Sequence, residues 1–227
     1  MDWNKLIDLD RQLLLWFNGS NSGFLDVLVL TFTSGFTWVP LYVAFLYVVF
    51  RNSLSWRQVL LTVACALLCL LLSDGLPDGI MKPLVGRLRP SHDPALAHSI
   101  RLVNGYRHTL YGFFSAHASN TLALALFFSK LVSRRWVTAV LVGWSMLNCW
   151  TRMYLGVHYP TDILVGLLWG VLSAFVASYV HQKTFKQFLH RPVEPHRLGS
   201  NTIGQALLLG CCYVLVRAIS ETWIQNI

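Results

Sequence analysis

The sequence predicts an all-α membrane protein, a polytopic bundle of about six transmembrane helices preceded by an amphipathic helix. Three features of the composition support this prediction: 55% of the 227 residues are hydrophobic, only 12% are charged, and the mean hydropathy is +0.51. Nine tryptophans fit the same class, because Trp concentrates at membrane interfaces. No repeat or separable soluble segment interrupts the apolar pattern, so we expect a single domain over 1–227.

Six apolar segments approach the length of about 20 residues that crosses a hydrocarbon core. They lie near 25–50, 58–76, 112–132, 136–151, 162–181 and 203–220. The first contains Thr33-Ser34-Gly35, an interruption that neighbouring helices can tolerate by satisfying the backbone. Residues 3–17 mix apolar and charged side chains at helical spacing, which predicts an amphipathic helix in the membrane interface.

Basic residues outside the motifs predict the orientation. They follow the first, third and fifth segments: Arg51, Arg57, Lys130, Arg134, Arg135, Lys183, Lys186, Arg191 and Arg197. The positive-inside rule makes these three connections cytoplasmic. The segments 82–107 and 152–162 and both termini are then predicted to face outward.

The charge balance narrows the possible partners. The formal net charge is +8, from 18 Lys and Arg against 10 Asp and Glu. Such an excess indicates nucleic acid, an anionic bilayer surface or an anionic ligand. Nucleic acid fits poorly because the basic residues are scattered between apolar spans, and no obligate protein partner is indicated.

The five cysteines lie in apolar runs without CxxC spacing, so we interpret them as small buried hydrophobes: Cys65, Cys69, Cys149, Cys211 and Cys212.

The first polar motif is Lys82-x6-Arg89-Pro90. Seven residues are about two helical turns, so Lys82 and Arg89 are predicted to share one face of a short helix. Pro83 would begin that helix and Pro90 would end it. Arg offers a planar fork for phosphate oxygens and Lys a compact charge. The alternative is a basic patch that binds lipid head groups without chemistry.

The second motif, Ser115-Ala116-His117, opens the third apolar segment. The first amides of a helix have no intrahelical partner and favour an anion, so a phosphoryl group could rest there with Ser115 donating. His117 would then lie beside the same oxygens, where it could protonate a leaving group. The alternative is an N-cap serine followed by a histidine that bonds only to water.

The third motif is Arg152-x5-His158-x3-Asp162. His158 and Asp162 can touch across one helical turn, and Pro160 is well suited to begin that helix. A carboxylate on one imidazole nitrogen fixes the tautomer and leaves the other nitrogen free as base, nucleophile or ligand. Arg152 adds a third positive charge. The alternative is a His–Asp pair that only closes a loop.

A metal site is the main chemical competitor. His92, Asp93, His98 and His108 lie in one outward connection, and His is the commonest metal ligand. Their spacing matches no tight ligand pattern, so an open, solvated loop is the expected state of these residues.

The ordered set of three motifs at span edges resembles the type 2 phosphatidic acid phosphatase superfamily of membrane lipid phosphatases, whose core is shared with vanadium haloperoxidases. The resemblance covers about 58–181. It implies that His158 attacks phosphorus and forms a phosphohistidine, with Asp162 orienting it, and that His117 protonates the departing lipid oxygen. It also implies a set of phosphate-binding groups: Lys82, Arg89, Ser115, the nearby amides such as that of Ala116, and Arg152. No metal or other cofactor is implied.

Three positions depart from the pattern of that family. Phe114 stands where Pro is frequent, Ala116 replaces the usual Gly, and Thr151 replaces a frequent Ser. Ala remains small but has less backbone freedom than Gly, and Thr151 keeps a hydroxyl. None of these changes removes a reacting group, so phosphatase activity is expected.

The resemblance implies a bacterial inner-membrane enzyme whose outward site takes a lipid phosphate from the bilayer. The candidate substrates are undecaprenyl pyrophosphate, lipid A phosphates, phosphatidylglycerol phosphate and phosphatidic acid. The long outward loop carries Arg101, Arg107 and His108 beyond the motifs, and these could contact a second phosphate or a sugar. They favour a pyrophosphate or lipid A over phosphatidic acid.

Two other classes of function stay open. A transporter or flippase of an anionic lipid could use the same charges and release its substrate unchanged. The missing inverted repeat and the placement of the charges at the membrane edge argue against it. Haloperoxidase-like chemistry would require bound vanadate. The extra segment 203–220 is interpreted as packing.

Overall fold

The computed structural model of the chain describes residues 3–18, 20–189 and 194–225, so Arg191 of the predicted cytoplasmic set lies outside the described residues. The regular structure of these residues is helical, which confirms the all-α class. The helices are α1 (Trp3–Asn18), α2 (Gly23–Phe32), α3 (Val39–Asn52), α4 (Trp56–Leu70), α5 (Lys82–Val85), α6 (Ala116–Val132), α7 (Arg135–Tyr154), α8 (Pro160–Leu189) and α9 (Asn201–Gln225).

Within the described ranges, three helical stretches are long and apolar enough to cross a membrane. They are Trp56–Val85 and Pro160–Leu189, each of 30 residues, and Asn201–Ile224, of 24. A fourth arises if α1 and α2, which are bent by 109°, form one broken span. The predicted span 25–50 is not one helix, because α2 ends at Phe32 and a 3-10 turn precedes α3. The count of six spans stays a prediction.

One continuous helical rod carries the chain from residue 56 to the first polar motif. After α4, two π-helical turns, Leu71–Gly75 and Pro77–Met81, lead into α5. The rod ends at Gly86, whose φ of 63° is left-handed and whose N–H donates to Lys82 O at 3.0 Å. Glycine adopts this conformation without steric cost, which makes it a common helix terminator.

The predicted helix joining Lys82 to Arg89 is therefore wrong. After Gly86 the chain is extended: Leu88 forms an antiparallel bridge with Tyr111, and the Arg89 N–H donates to the residue 110 carbonyl at 3.0 Å. The prediction failed for a local reason: the Gly86 cap ends the helix four residues before Pro90. Pro83 likewise lies inside the rod and does not begin it.

The helix ends divide into two sets, one at each edge of the bundle. The last turn of the rod, the start of α6, the end of α7 and the start of α8 meet at one edge and carry the three polar motifs. At the other edge, Asn52 Nδ2 donates to Leu198 O at 2.9 Å, and the His196 N–H donates to Leu131 O at 2.9 Å. Most of the non-motif basic residues lie at this second edge.

Aromatic rings pack between the helices in the core. Phe45 of α3 and Phe128 of α6 stack with ring centroids 3.9 Å apart and planes 5° from parallel. Trp38 packs edge-on against Phe32.

The prediction that all five cysteines are buried is only partly correct. Cys65, Cys69 and Cys149 are buried as expected, and Cys211 is partly buried. The interpretation of Cys212 as buried is wrong, since that side chain is exposed on α9.

Two glycines of α8 let α6 approach closely, and this contact places the start of α6 beside the start of α8. A Cβ atom on Gly166 would lie 2.5 Å from Ser115 O, and one on Gly170 would lie 2.7 Å from Ser119 O. Small residues four apart are a common way for membrane helices to pack backbone against backbone. The carbonyl of Asp162 also accepts from the Ser115 N–H at 3.1 Å.

Gly170→Ala is expected to destabilise the protein by about 1–3 kcal/mol, the usual range for overpacking, because its methyl group meets backbone that has no room to move. Thermal unfolding in detergent measures the effect. Gly143→Ala is the matched control, since it is also helical and a Cβ there meets nothing within 4 Å. Equal melting temperatures for the two variants would show that the α6–α8 contact is not tight.

Candidate active site

His158 lies in the loop between α7 and α8 and is only 2% exposed. Its Nε2 atom is 2.7 Å from Arg89 Nη1. A guanidinium only donates, so Nε2 accepts and the proton of the neutral ring lies on Nδ1. Nδ1 is 3.6 Å from Asp162 Oδ2, the predicted partner, and has no hydrogen bond within the described part of the chain.

The electrostatic environment keeps His158 uncharged. Burial, followed by the positive charges of Arg89, Arg152 and Lys82, holds the pKa of His158 well below its usual value of about 6.5. The imidazole is therefore neutral at pH 7, with the lone pair of Nε2 directed toward the cationic side of the site. An unprotonated ring in this position has the form that a nucleophile needs.

Asp162 is the third residue of α8 and is completely buried. Its Oδ2 atom accepts from the Tyr159 N–H at 3.0 Å, the reciprocal contact of a helix N-terminal capping box. Its Oδ1 atom accepts from Arg87 Nη1 at 2.7 Å. The sequence predicted the helix start and the nearby histidine, and the structure adds Arg87 as the counter-charge.

Arg89 is fixed by the loop that crosses the site. Its Nε donates to Thr109 O at 2.7 Å, its Nη1 to Val157 O at 3.0 Å, and its Nη2 is 3.3 Å from Thr109 Oγ1. Burial, followed by the charge of Arg152, lowers the pKa of Arg89 to about 10. The guanidinium is thus still positive at pH 7, and it is held rigidly beside His158.

Arg152 lies in the last turn of α7 and is 1% exposed. Its Nη1 donates to Thr33 Oγ1 at 2.8 Å, and its guanidinium lies 5.8 Å from the centre of the Tyr106 ring. Its Nε has no hydrogen bond within the residues that the structure describes. A buried donor without a partner is uncommon and suits a site that receives an anion.

Lys82 stands at the end of the rod, buried and close enough to lower the pKa of His158. Its Nζ forms an ion pair with Asp78, one turn earlier, whose side chain is half exposed. The sequence analysis did not name Asp78. A phosphate that binds Lys82 must therefore share it with this carboxylate or displace it.

Ser115 and His117 occupy the predicted positions at the start of α6. Ser115 is the N-cap, and its Oγ accepts from the Ala118 N–H at 3.4 Å, with Ala116 as the first helical residue. The His117 side chain is partly exposed, and no group among the described residues bonds to its ring. His117 can therefore donate to or accept from a ligand without breaking a protein contact.

The three predicted head-group residues have different surroundings. Arg101 pairs with Asp26, with Nη1 donating to Oδ1 at 2.7 Å, so its guanidinium is anchored to α2. Arg107 is exposed on the loop between α5 and α6. His108 lies at the rim, where partial burial and then the charges of Arg89 and Arg152 lower its pKa to about 4.

The loop histidines and Asp93 do not gather as ligands. Asp93 Oδ2 accepts from Tyr159 Oη at 2.7 Å and from Arg11 Nη2 at 3.2 Å, so its carboxylate belongs to the contact between the loop and α1. Across the described ranges, no three His, Cys, Asp or Glu side chains are placed to hold a metal ion.

Arg87 and Asp10 are the site residues that sequence reasoning missed. Arg87 Nη1 donates to Asp162, and its Nη2 donates to Asp10 Oδ2 at 2.7 Å. Asp10 comes from α1, is 4% exposed, and also accepts from the Thr161 N–H at 2.9 Å and Thr161 Oγ1 at 2.6 Å. One arginine thus joins two buried carboxylates, and α1 is packed into the support of Asp162.

The tautomer and charge of His158 give a testable expectation. In NMR spectra of protein with isotope-labelled histidine, His158 should carry its proton on Nδ1 and stay neutral as the pH falls through 6.5. Because the pKa of His158 is lowered, its ring becomes protonated only at a pH well below 6.5. The spectrum of His158→Ala identifies the signal. A ring that titrates near pH 6.5, or a proton on Nε2, would contradict this geometry.

A neutral histidine beside buried cations can attack the phosphorus of an anion that those cations hold. Together with the helical membrane fold, this arrangement defines a class, the membrane-embedded phosphatases. The chain belongs to the PAP2 superfamily, whose family model matches residues 62–186. The resemblance predicted from the three motifs is thereby confirmed.

Two relatives and one solved structure are similar to this chain. It is 38% identical over 179 residues to a lipid A 4'-phosphatase of Bacteroides thetaiotaomicron, covering 78% of this chain and 79% of that protein. It is 34% identical over 167 residues to a lipid A 4'-phosphatase of Porphyromonas gingivalis, covering 74% and 70%. The crystal structure of Aquifex aeolicus LpxE shares the fold, with a TM-score of 0.59 and 24% identity over 74% of this chain and 94% of that one.

Proposed function

We propose that this phosphatase acts on lipid A, removing its 4'-phosphate at the outer face of the bacterial inner membrane through a phosphohistidine intermediate. The observation that carries the proposal is the buried His158, neutral and with Nε2 facing Arg89, beside the unpartnered donor of Arg152. The similarity to two lipid A 4'-phosphatases supports the choice of substrate. The positive-inside rule supports the orientation.

In the first step, His158 Nε2 attacks phosphorus, and the bond from phosphorus to the sugar oxygen breaks. Positive charge then develops on the ring, and Asp162, 3.6 Å from Nδ1, stabilises it. Arg89, Arg152 and Lys82 stabilise the charge that spreads over the equatorial oxygens. Two contacts must change for this step: the Nε2 lone pair has to leave Arg89 Nη1, and Lys82 has to leave Asp78 or share its charge with it.

His117, in its protonated form, supplies the proton for the departing sugar oxygen and is left neutral. It lies in the first turn of α6, beside the amides and the Ser115 hydroxyl that would hold the phosphoryl group. After departure of the sugar, the neutral His117 can take a proton from water as water attacks the phosphohistidine. This step releases inorganic phosphate and restores the Nε2 lone pair of His158.

Selection of lipid A would come from the outward rim. Arg107 is exposed and His108 stands beside the cations, so these two can reach a sugar or a second phosphate. Arg101 would act mainly by fixing the loop through Asp26. If neutralising Arg101 and Arg107 leaves discrimination among lipid phosphates unchanged, the loop does not select the substrate.

The test is phosphate release by the purified protein in detergent with EDTA present. The substrates are lipid A bisphosphate, undecaprenyl pyrophosphate, phosphatidylglycerol phosphate and phosphatidic acid. We expect release from lipid A to be fastest and to survive EDTA, and mass spectrometry of the product to show loss of the 4'-phosphate. Faster phosphate release from another lipid would make that lipid, and not lipid A, the assigned substrate. No release from any of them by folded protein would favour transport.

A further inference from the structure

A cavity of about 340 Å³ lies inside the membrane part of the bundle, among α3, α4, α6 and α7. Its walls are mainly apolar side chains, among them Phe45, Val49, Ala66, Leu70, Leu124 and Phe128. Pockets of this size bind small ligands or parts of larger ones. The reaction described above assigns no role to it.

The cavity continues a stripe of α6 that begins at the active site. His117, Asn120, Thr121, Leu124 and Phe128 are spaced three or four residues apart, so they share one face of the helix. The last four line the cavity. It therefore begins one turn below His117 and extends about 10 Å along α6 at 1.5 Å per residue.

The mouth of the cavity opens between α3 and α4 toward the lipid-facing surface. Leu46 of α3 is 45% exposed and Leu67 of α4 is 60% exposed, and both line the cavity. Tyr42 stands at the same mouth. Because Leu46 and Leu67 are apolar and Leu67 lies on the candidate span Trp56–Val85, what enters sideways comes from the hydrocarbon of the bilayer.

The inner wall offers few hydrogen bonds. Asn120 is bonded to Ser73 at 2.6 Å and to Asp74 at 2.8 Å, and the Thr121 hydroxyl donates to His117 O at 2.9 Å. The Thr62 hydroxyl donates to the residue 58 carbonyl at 2.9 Å. The indole N–H of Trp144 remains without an acceptor within the described residues. Water needs two to four polar partners, so hydrocarbon suits the space better.

We propose that this cavity holds one acyl chain of the lipid phosphate whose head group is at His117, and that its depth sets the chain preference of the enzyme. The proposal rests on the proposed function. With the phosphate held at the start of α6, a chain that follows the same stripe enters the cavity at Thr121 and ends near Phe128. Each methylene that leaves water for the cavity contributes to substrate binding.

Ala66→Phe tests the proposal, because Ala66 lines the cavity and its replacement fills it. Ala64→Phe is the matched control, since Ala64 is on the same helix but exposed to the bilayer. The substrates are short-chain and long-chain alkyl phosphates. We expect Ala66→Phe to raise KM for the long chain about tenfold or more, the effect of burying two fewer methylenes, and to leave turnover of the short chain within about twofold.

Unchanged KM of folded Ala66→Phe for the long chain would overturn the proposal. If this variant loses both substrates alike, crosslinking decides the question in the wild-type protein. An alkyl phosphate with a photoreactive chain end should label peptides from 62–70 and 120–128. Labelling only elsewhere would overturn the proposal, as would equal labelling by the matching alcohol without phosphate, which would indicate an ordinary bilayer lipid. Failure of the wild type to hydrolyse any alkyl or lipid phosphate would refute the proposed function instead.

Discussion

Replacing His158 with alanine is expected to lower phosphate release from lipid A by on the order of 10⁴-fold or more, because the proposed mechanism has no second nucleophile at this position. The side chain is buried beside Arg89 and bears no hydrogen bond that holds two elements together, apart from that one contact. The variant should therefore fold and bind the substrate with little change. Steady-state release of inorganic phosphate by purified variant and wild type measures the effect.

The covalent intermediate separates the role of His158 from that of His117. With labelled substrate and a rapid alkaline quench, the wild type should carry phosphate on histidine, and His158→Ala should carry none. His117→Gln should still be labelled, with both formation and breakdown slowed, because His117 only moves protons in the proposed steps. Substantial release by folded His158→Ala, or label that persists on it, would refute the nucleophile assignment.

The parts of the site that sequence could predict are those with local causes. The Ser115 cap, the start of α8 near Pro160 and the proximity of His158 and Asp162 all depend on spacings within one or two turns. Such features are set by a few neighbouring residues, so they can be inferred before tertiary structure is known.

The same local reasoning failed between Lys82 and Arg89, because two signals conflicted there. The spacing favoured a helix with two cations on one face, while Gly86 favoured a stop, and the left-handed cap prevailed. Arg89 reaches His158 from an extended segment that pairs with residues 110–112. That pairing is a property of the closed loop and leaves no periodic trace in the sequence.

Arg87 and Asp10 illustrate the limit more strongly. Asp10 looked like an ordinary polar residue on an amphipathic helix, and Arg87 like one more charge in a basic segment. Arg87 is 77 residues from Asp10 in the sequence and 75 residues from Asp162, and it contacts both. The only signal in the sequence was a third cation, between Lys82 and Arg89, that the motif did not require.

Asp10→Asn is expected to lower kcat by about 10–10²-fold while KM changes little, because the Asp10 carboxylate is buried and bonded to Arg87 and Thr161, and small displacements of catalytic groups cost this much. An amide can still accept from the Thr161 N–H, but its NH₂ group cannot accept from Arg87 Nη2. Arg87 then loses one of its two carboxylates, and the position of Asp162 against His158 loosens. Steady-state kinetics on lipid A separates kcat from KM.

The control for this prediction is Asp8→Asn, on the same helix with its side chain 65% exposed, which should leave kcat unchanged. A double-mutant cycle then decides whether Asp10 acts through Arg87. If the two residues form one support, Asp10→Asn with Arg87→Gln should be no slower than Arg87→Gln alone. Additive losses would mean that Asp10 stabilises the start of α8 by itself, through Thr161. An unchanged kcat in folded Asp10→Asn would show that α1 contributes stability and not the alignment of Asp162.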